Sequence, residues 1–264
     1  MATDTATHGP LLVLPPELHP NVDHLVTEDD TPVDNIYSEK QQRLLTEPLY
    51  SSWNGPGPGR RFVVMSNVGL FYAIRQPPYV PDALLSLDVE VPADLWPKAH
   101  RSYFVWEYGK APEVVIEVVS NREGGEDTEK LTGYARLGIR YYAIYDPEQL
   151  LSNEVLRGYR LVGLSFHPIE GRIWFPEVEL GLQLWQGRYE DHENTWLRWV
   201  DAEGRVIPTG RERAEAERQR AEAERQRAEA ERQRAEEEKR RADMERARAE
   251  SLAEQLRRLG VAPE

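Results

Sequence analysis

The chain contains no cysteine, which excludes disulfide bonds and thiolate zinc sites. It has no apolar run approaching the roughly 20 residues of a membrane-spanning helix. Its polar first ten residues lack the apolar segment that a signal peptide requires. From these absences we expect a soluble, cytoplasmic protein that does not associate with a membrane.

Excess positive charge is also missing, since the formal net charge is −13. Arg211–Arg258 holds 15 basic and 14 acidic residues, whereas residues 1–210 hold 18 basic and 31 acidic residues. An acidic surface argues against broad, non-specific phosphate binding, which needs basic side chains. It does not exclude a nuclease, because a divalent cation bound to carboxylates reverses the local sign of the charge.

Apolar periodicity divides the first 207 residues into a lead-in and one domain. Residues 1–35 have no clear period and are typical of an extended N-terminal segment. Residues 36–207 mix strand and helix signals, which favours an α/β domain with a mixed central sheet flanked by helices. The elements that we predict there are a helix at 37–50 capped by Ser38, a hairpin of Phe62–Met65 and Leu70–Ile74, a strand that follows Asp82, a strand around Glu117, a helix at 126–138 ended by Gly138, a strand at Tyr141–Tyr145, and short strands within 154–200.

The last region, 208–264, is a charged heptad-repeat helix. The heptad Arg213–Gln219 recurs at 220–226 and 227–233. Period seven is typical of a coiled coil, but a seam of Ala and Glu buries little apolar surface. Opposite charges recur instead at i,i+4 and i,i+3, as in Arg213–Glu217. We expect a long solvated helix, with a weak coiled coil that forms a homodimer as the alternative.

Two carboxylates interrupt runs that are otherwise apolar. Asp82 opens the run Pro81–Leu87, and Glu117 lies inside the run Pro112–Val119. Alone, Asp82 is typical of a turn carboxylate at a strand edge. Glu117 is more informative, because both faces of its strand are mostly apolar, as in a central strand. A buried carboxylate is costly to desolvate, so Glu117 indicates either a structural ion pair or a functional site.

A lysine follows close behind on the predicted helix. Lys130 shares a helix face with Tyr134 and lies three residues after Asp127. Taken alone it is a surface lysine, but a strand–loop–helix unit would turn it back toward the end of the Glu117 strand. Two carboxylates hold Mg²⁺ or Mn²⁺ through oxygen, and a lysine beside that cation stabilises negative charge on a phosphate. Together Asp82, Glu117 and Lys130 predict a metal-dependent phosphodiesterase.

In this order of motifs the chain resembles the Uma-type restriction endonuclease family, part of the PD-(D/E)XK nuclease superfamily. The resemblance covers about residues 35–205 and, loosely, the charged tail. The matching pieces are Asp82 with its strand, the Glu117 strand, Asp127, Lys130 and Tyr134, and the segments Gly138–Tyr142, Tyr145–Pro147 and Leu180–Leu182.

The resemblance implies a restriction-endonuclease-like core and an endonuclease that acts on nucleic acid, with DNA preferred over RNA. It implies that Asp82 and Glu117 bind the metal and that Lys130 completes the catalytic set. The superfamily carries its lysine two residues after the acid, where this chain has Val119, so here the lysine is expected from the helix. The supporting residues that it suggests are Glu39 or Glu47 near the start of the domain, with Asp127 and Tyr134 on the later helix.

A non-enzymatic alternative stays open on the sequence alone. The acidic domain, Val119 in the place of the usual lysine and the long tail are also features of a catalytically inactive nuclease fold. Such a module would bind partners through its helical tail and would not cut nucleic acid.

Overall fold

The computed structural model describes residues 15–25, 35–57 and 59–258, which form two compact units that meet between Gly210 and Arg211. In the described ranges, no helix combines the length and apolarity that crossing a membrane takes. In chain order the elements are α1 (Ile36–Ser52), β1 (Phe62–Met65), β2 (Leu70–Phe71), β3 (Ala83–Leu87), β4 (Tyr103–Phe104), α2 (Val105–Tyr108), β5 (Val114–Val118), α3 (Glu129–Arg136), β6 (Tyr141–Tyr145), β7 (Leu156–Val162), β8 (Ser165–Pro168), β9 (Ile173–Phe175), β10 (Leu180–Tyr189), β11 (His192–Val200) and α4 (Gly210–Arg258).

A six-stranded mixed sheet forms the centre of the first unit, in the order β1-β3-β5-β6-β7-β8. Strands β5 and β6 are parallel, and the other neighbouring pairs are antiparallel. Leu45 and Leu49 of α1 join the apolar cluster on one face of the sheet, together with residues of β9, β10 and β11. Tyr134 of α3 joins the cluster on the other face. This arrangement confirms the predicted α/β class with helices flanking a mixed sheet.

The first helix is longer than predicted and has a different cap. Asn35, not Ser38, is the N-cap, and its side chain accepts a hydrogen bond from the backbone N–H of Ser38 at 3.0 Å. Ser38 is instead buried on the face of α1 that meets the sheet. Asparagine serves this role as well as serine does, because its side-chain oxygen reaches the same free N–H groups.

The predicted hairpin of Phe62–Met65 with Leu70–Ile74 is wrong. Strand β1 pairs with β3, while the two-residue strand β2 pairs with β4 in a separate parallel sheet. Turn chemistry after β1 is present, since Asn67 has a φ of 52°. The backbone N–H of Asn67, however, donates to the carbonyl of Pro81 at 3.2 Å. The end of β1 is therefore held against the start of β3, its partner in the central sheet.

The second half of the domain follows the prediction more closely. Helix α3 begins at Glu129 rather than 126, because a turn precedes it, and Gly138 follows its end with a φ of 76°. A left-handed conformation of this kind favours glycine and ends a helix. Strand β6 has the predicted bounds. The short strands expected within 154–200 divide between the central sheet and a three-stranded sheet, β11-β10-β9.

The described part of the lead-in is more ordered than an extended segment. It contains a short 3-10 helix at Pro16–Leu18, and Val22 and Leu25 pack against Phe71 and Phe104. Apolar burial of these two side chains fixes the segment to the domain. The rest of the predicted lead-in before Asn35 lies outside the described residues.

The second unit is one continuous helix, α4, of 49 residues. At 1.5 Å per residue it is about 70 Å long. Its side chains are exposed over nearly the whole length, and opposite charges pair along it, as in Arg211–Glu215 and Glu222–Arg225. These pairs match the spacing expected of a charge-stabilised solvated helix. Self-association of the tail stays a prediction.

Candidate active site

Asp82 and Glu117 lie opposite each other at one end of the central sheet. Strand β3 pairs with β5 so that Ala83 faces Ile116 and Leu84 faces Val115. Continuing this register by one residue sets Asp82 against Glu117, and directly opposed residues project from the same face of a sheet. Both side chains are buried, with 8% and 1% of their residue surface exposed. Two carboxylates predicted from separate apolar runs therefore form one pair.

Hydrogen bonds hold the carboxylate of Asp82 in one orientation. Gln42 of α1 donates its Nε2 to Oδ1 at 2.7 Å. The backbone N–H of Val118 in β5 donates to Oδ2 at 2.7 Å. Asp82 is thus fixed to both the first helix and the neighbouring strand, so its position depends on the whole sheet being formed.

Helix α3 supplies two donors to Glu117. The Tyr134 hydroxyl donates to Oε1 at 2.6 Å, and the Lys130 ammonium donates to Oε2 at 3.0 Å. Residues four apart share a helix face, and the crossover from β5 through α3 to the parallel strand β6 lays that face over the sheet. Lys130 therefore reaches the end of the Glu117 strand, as the strand–loop–helix pattern predicts.

Burial strongly perturbs the protonation of these groups. Burial is the largest cause that raises the pKa of Glu117 to about 8; the nearby Asp82 charge also raises it, and Lys130 and Tyr134 act against that rise. For Lys130, burial lowers the pKa, but the Glu117 carboxylate more than compensates and holds it above the ordinary value. Burial and the Glu117 charge raise the pKa of Tyr134 well above its usual range. Tyr134 therefore keeps its proton and remains a donor to Glu117 at neutral pH.

A third buried carboxylate belongs to this cluster, and the sequence prediction missed it. Glu126, which is 6% exposed, places its Oε1 3.4 Å from the Lys130 ammonium. Its other oxygen, Oε2, is buried and has no hydrogen-bond partner among the described residues. The signal was present in the sequence, since Glu126 and Lys130 have the i,i+4 spacing of a helical ion pair.

Asp127, which lies three residues before Lys130, forms its described ion pair with another residue. Its Oδ2 lies 3.8 Å from Nη1 of Arg157 on β7. Pairing across the sheet sets Glu117 opposite Ile144 and Ile144 opposite Arg157. Arg157 is therefore in the same row of side chains as the two carboxylates, and it adds positive charge to that face.

Neither acidic candidate on the first helix is part of the described contacts of Asp82 and Glu117. Glu39 forms an ion pair with Arg43 at 2.7 Å, and Glu47 accepts a hydrogen bond from the backbone N–H of Gly210 at 2.9 Å. Helix α1 contributes Gln42 instead. Its position was readable from the sequence, because Gln42 lies four residues after Ser38 and three before Leu45 on the buried stripe of the helix.

The chemistry of this cluster fits a hard divalent cation. Mg²⁺ is usually bound by one or two carboxylates, with water and substrate phosphate completing its shell. Asp82 and Glu117 provide two carboxylates, and no larger group of three His, Cys, Asp or Glu side chains suited to a metal occurs among the described residues. Each Glu117 oxygen accepts one described hydrogen bond and keeps a further lone pair. The oxygen-only donor set suits Mg²⁺ or Mn²⁺ rather than a softer metal.

Comparison with protein-family models gives a match over most of the first unit. The model of the Uma2 family, described as "Putative restriction endonuclease", matches residues 29–187, which is more than half of the chain. That range contains all of the side chains in the cluster, from Gln42 to Arg157. No curated protein matches the chain.

Proposed function

Because the chain belongs to the Uma2 family, we propose that it is a divalent-metal-dependent nuclease that hydrolyses phosphodiester bonds in DNA. One observation carries the proposal. Asp82 and Glu117 are buried side by side, with the Lys130 ammonium 3.0 Å from Glu117. Strongly perturbed, buried titratable groups gathered at one place are typical of active sites, and the oxygen donors suit a cation that works on phosphates.

Asp82 and Glu117 would hold the Mg²⁺ or Mn²⁺. When bound, such a cation neutralises charge on a phosphate and lowers the pKa of a water molecule. Gln42 and the Val118 backbone hold Asp82, and Tyr134 holds Glu117. The carboxylates therefore need little rearrangement to act as ligands, and preorganisation of this kind is a large part of catalysis.

Lys130 would supply the positive charge that faces the phosphate. Its side chain is 22% exposed, while Glu117 beneath it is almost fully buried, so the ammonium lies between the carboxylate and solvent. Val119, at the position where the superfamily carries lysine, is buried in the apolar cluster of that face. A lysine from α3 therefore takes the role of one from the strand, and its ammonium would stabilise negative charge that develops during attack on phosphorus.

The proposal is tested by incubating the full chain with plasmid DNA, single-stranded DNA and RNA in Mg²⁺, Mn²⁺ or EDTA. We expect DNA cleavage that requires the metal and that falls by at least about 10²–10³-fold in Glu117→Gln, Asp82→Asn and Lys130→Met. Glu123→Gln, an exposed acid on the loop before α3, is the matched control and should cut like wild type. Thermal unfolding of each variant separates lost chemistry from lost folding.

The other outcomes are equally informative. Cleavage that persists in Glu117→Gln would place the chemistry elsewhere in the chain. Cleavage of RNA alone would keep the nuclease and change its substrate. Wild-type protein that neither cuts nucleic acid nor binds Mn²⁺ in calorimetry would favour the inactive nuclease fold with an interaction tail.

A further inference from the structure

The Lys130 ammonium lies between two buried carboxylates that come from different parts of the chain. Its Nζ is 3.0 Å from Oε2 of Glu117 on β5 and 3.4 Å from Oε1 of Glu126 on the loop before α3. The proposed function uses Glu117 but leaves Glu126 without a role. A carboxylate buried to more than nine-tenths is expensive to keep in a fold unless something requires it there.

A divalent cation that takes the spare lone pair of Glu117 Oε2 would share that oxygen with the Lys130 ammonium in the present geometry. Oε1 already accepts the Tyr134 hydroxyl, and Oε2 accepts Lys130. Positive charges at hydrogen-bonding distance of the same oxygen repel each other strongly in a buried site. Binding of the cation therefore requires Lys130 to move off Glu117.

Glu126 has the position and the hydrogen-bond acceptor capacity to bind the displaced ammonium. Its Oε2 is buried and has no hydrogen-bond partner in the described part of the chain, so the carboxylate retains acceptor capacity. Its backbone is held in place by the Tyr142 hydroxyl, which donates to the Glu126 carbonyl at 2.8 Å. Gly124 leaves room for it, because a Cβ there would collide with the Glu126 carboxylate.

The movement that this transfer needs is small. Glu126 lies in the turn before α3, four residues ahead of Lys130, and the two side chains already face each other. Lys130 already lies within ion-pair distance of Glu126, so a change in its outer torsion angles would complete the new contact. The ammonium would stay beside the site instead of moving out to solvent.

We propose that Glu126 is a positioning residue that takes over Lys130 when a divalent cation occupies Asp82 and Glu117. The inference rests on the proposed function, since it needs the cation at that pair. Glu126 thereby lowers the cost of clearing Glu117 and keeps the ammonium where a bound phosphate would meet it. Without Glu126, the Lys130 ammonium would either stay on Glu117 and oppose binding of the cation, or move out to solvent.

The test is a double-mutant cycle on Mn²⁺ binding, measured by titration calorimetry with the full chain. Glu126→Gln should weaken Mn²⁺ binding by about tenfold, in the range seen when a group that supports a metal ligand is lost. In a Lys130→Met background there is no ammonium to relocate, so Glu126→Gln should then change the affinity by less than about twofold. Glu123→Gln serves as the exposed control on the same loop.

Each outcome of the cycle has one meaning. A tenfold loss that persists in Lys130→Met would overturn the inference, because Glu126 would then act on the cation directly. An unchanged affinity in Glu126→Gln would also overturn it, while leaving the proposed function intact. Wild-type protein that binds no Mn²⁺ would overturn the inference together with the metal-dependent function, so the two failures are distinguishable.

A second measurement follows the ammonium itself and needs no activity. The chain has five lysines, Lys40, Lys98, Lys110, Lys130 and Lys239, so lysine-selective labelling gives a simple NMR spectrum in which Lys130→Met identifies one signal. In the wild type, Mg²⁺ should shift the NMR signal of the Lys130 side chain, and the ammonium hydrogens should stay protected from exchange with water. In Glu126→Gln, the same titration with Mg²⁺ should leave the ammonium hydrogens of Lys130 in fast exchange with water. A Lys130 signal that ignores Mg²⁺ in the wild type would contradict the proposed transfer.

Discussion

The cluster around Glu117 and the tail helix α4 both pair an acidic with a basic side chain four residues apart in the chain. Glu126 and Lys130 are four residues apart, as are Arg211 and Glu215 in the tail. In the first case the acid is buried and meets a second buried acid through the lysine. In the second case the two side chains are largely open to solvent, with 77% of the Arg211 side chain and 46% of the Glu215 side chain exposed.

The comparison shows that sequence spacing determines whether two charged side chains come into contact, whereas burial determines how much that contact changes the free energy of unfolding. An exposed ion pair contributes about 0.2–1 kcal/mol, because water already stabilises both charges. Removal of one partner from a buried pair costs about 3–5 kcal/mol, since the other charge is left without solvation. The tail therefore accumulates small contributions, while the cluster keeps a large electrostatic cost that stability alone does not require.

The largest expected difference comes from removing one cation in each region. Lys130→Met leaves Glu117 and Glu126 buried without their shared partner, so we expect the free energy of unfolding to fall by about 3–5 kcal/mol at alkaline pH. Arg225→Met in the tail should cost no more than about 0.5 kcal/mol. Urea unfolding of both variants in EDTA measures the two effects, and equal losses would break the comparison.

The second prediction concerns pH, because Glu117 has a raised pKa only in the folded state. The folded carboxyl holds its proton up to a pH of about 8, against an ordinary value of 4.5. Between these values folded Glu117 binds more protons than unfolded Glu117, so its contribution to the stability of the metal-free wild type falls as the pH rises. Glu117→Gln cannot titrate, and it should gain stability relative to wild type between about pH 5 and about pH 8.5. Urea midpoints of wild type and Glu117→Gln at both pH values test this. A difference between the two midpoints that is the same at both pH values would contradict the raised pKa.

The third prediction separates two polar residues on the same helix. Gln42→Ala removes a hydrogen bond to the buried Asp82 and should cost about 1–3 kcal/mol. Glu39→Ala removes only an exposed pair with Arg43 and should stay within about 0.5 kcal/mol of wild type. Thermal unfolding compares them directly. If the two losses were alike, Gln42 would not have the structural role that its contact with Asp82 indicates.

The smallest effect is expected from salt. Raising the ionic strength from about 0.05 M to about 1 M shortens the range of exposed charge interactions to about 3 Å. The helix content of the tail should fall slightly, whereas the urea midpoint of the sheet domain should not follow that fall. Circular dichroism and urea unfolding measure the two responses. Sedimentation that showed a dimer would instead support the coiled-coil alternative for α4.

The sequence was most informative where a residue type conflicted with its surroundings. Glu117 in an apolar strand has few explanations other than a structural ion pair or a functional site. The spacing of Lys130 and Tyr134 places both side chains on the same face of a helix. These two facts were enough to predict the contact between strand and helix. Asp82 was weaker evidence by itself, and it gains meaning from the strand register that sets it opposite Glu117.

The misses have a common physical cause, which is that partner choice is decided by tertiary packing. Turn chemistry at Asn67 predicted that the chain turns, but not that β1 would pair with β3 instead of β2. Gln42 is an ordinary polar residue in its own helix, and only the position of Asp82 gives it a role. Glu126 stood at the start of the predicted helix 126–138, and its burial depends on the turn that precedes α3 and on Tyr142, which donates to its carbonyl.

The contacts that hold Asp82 also determine which segments of the chain must be assembled before the cluster of Asp82, Glu117 and Lys130 can form. Gln42 and Asp82 are 40 positions apart along the chain, and Asp82 and Val118 are 36 apart. Each of these contacts requires the chain to close the intervening loop, which costs conformational entropy. A nascent chain that has not yet been synthesised as far as α3 would carry both carboxylates but not the ammonium. The complete cluster therefore exists only when α1, β3, β5 and α3 are assembled, and a proteolytic fragment that lacks one of these segments lacks part of the cluster.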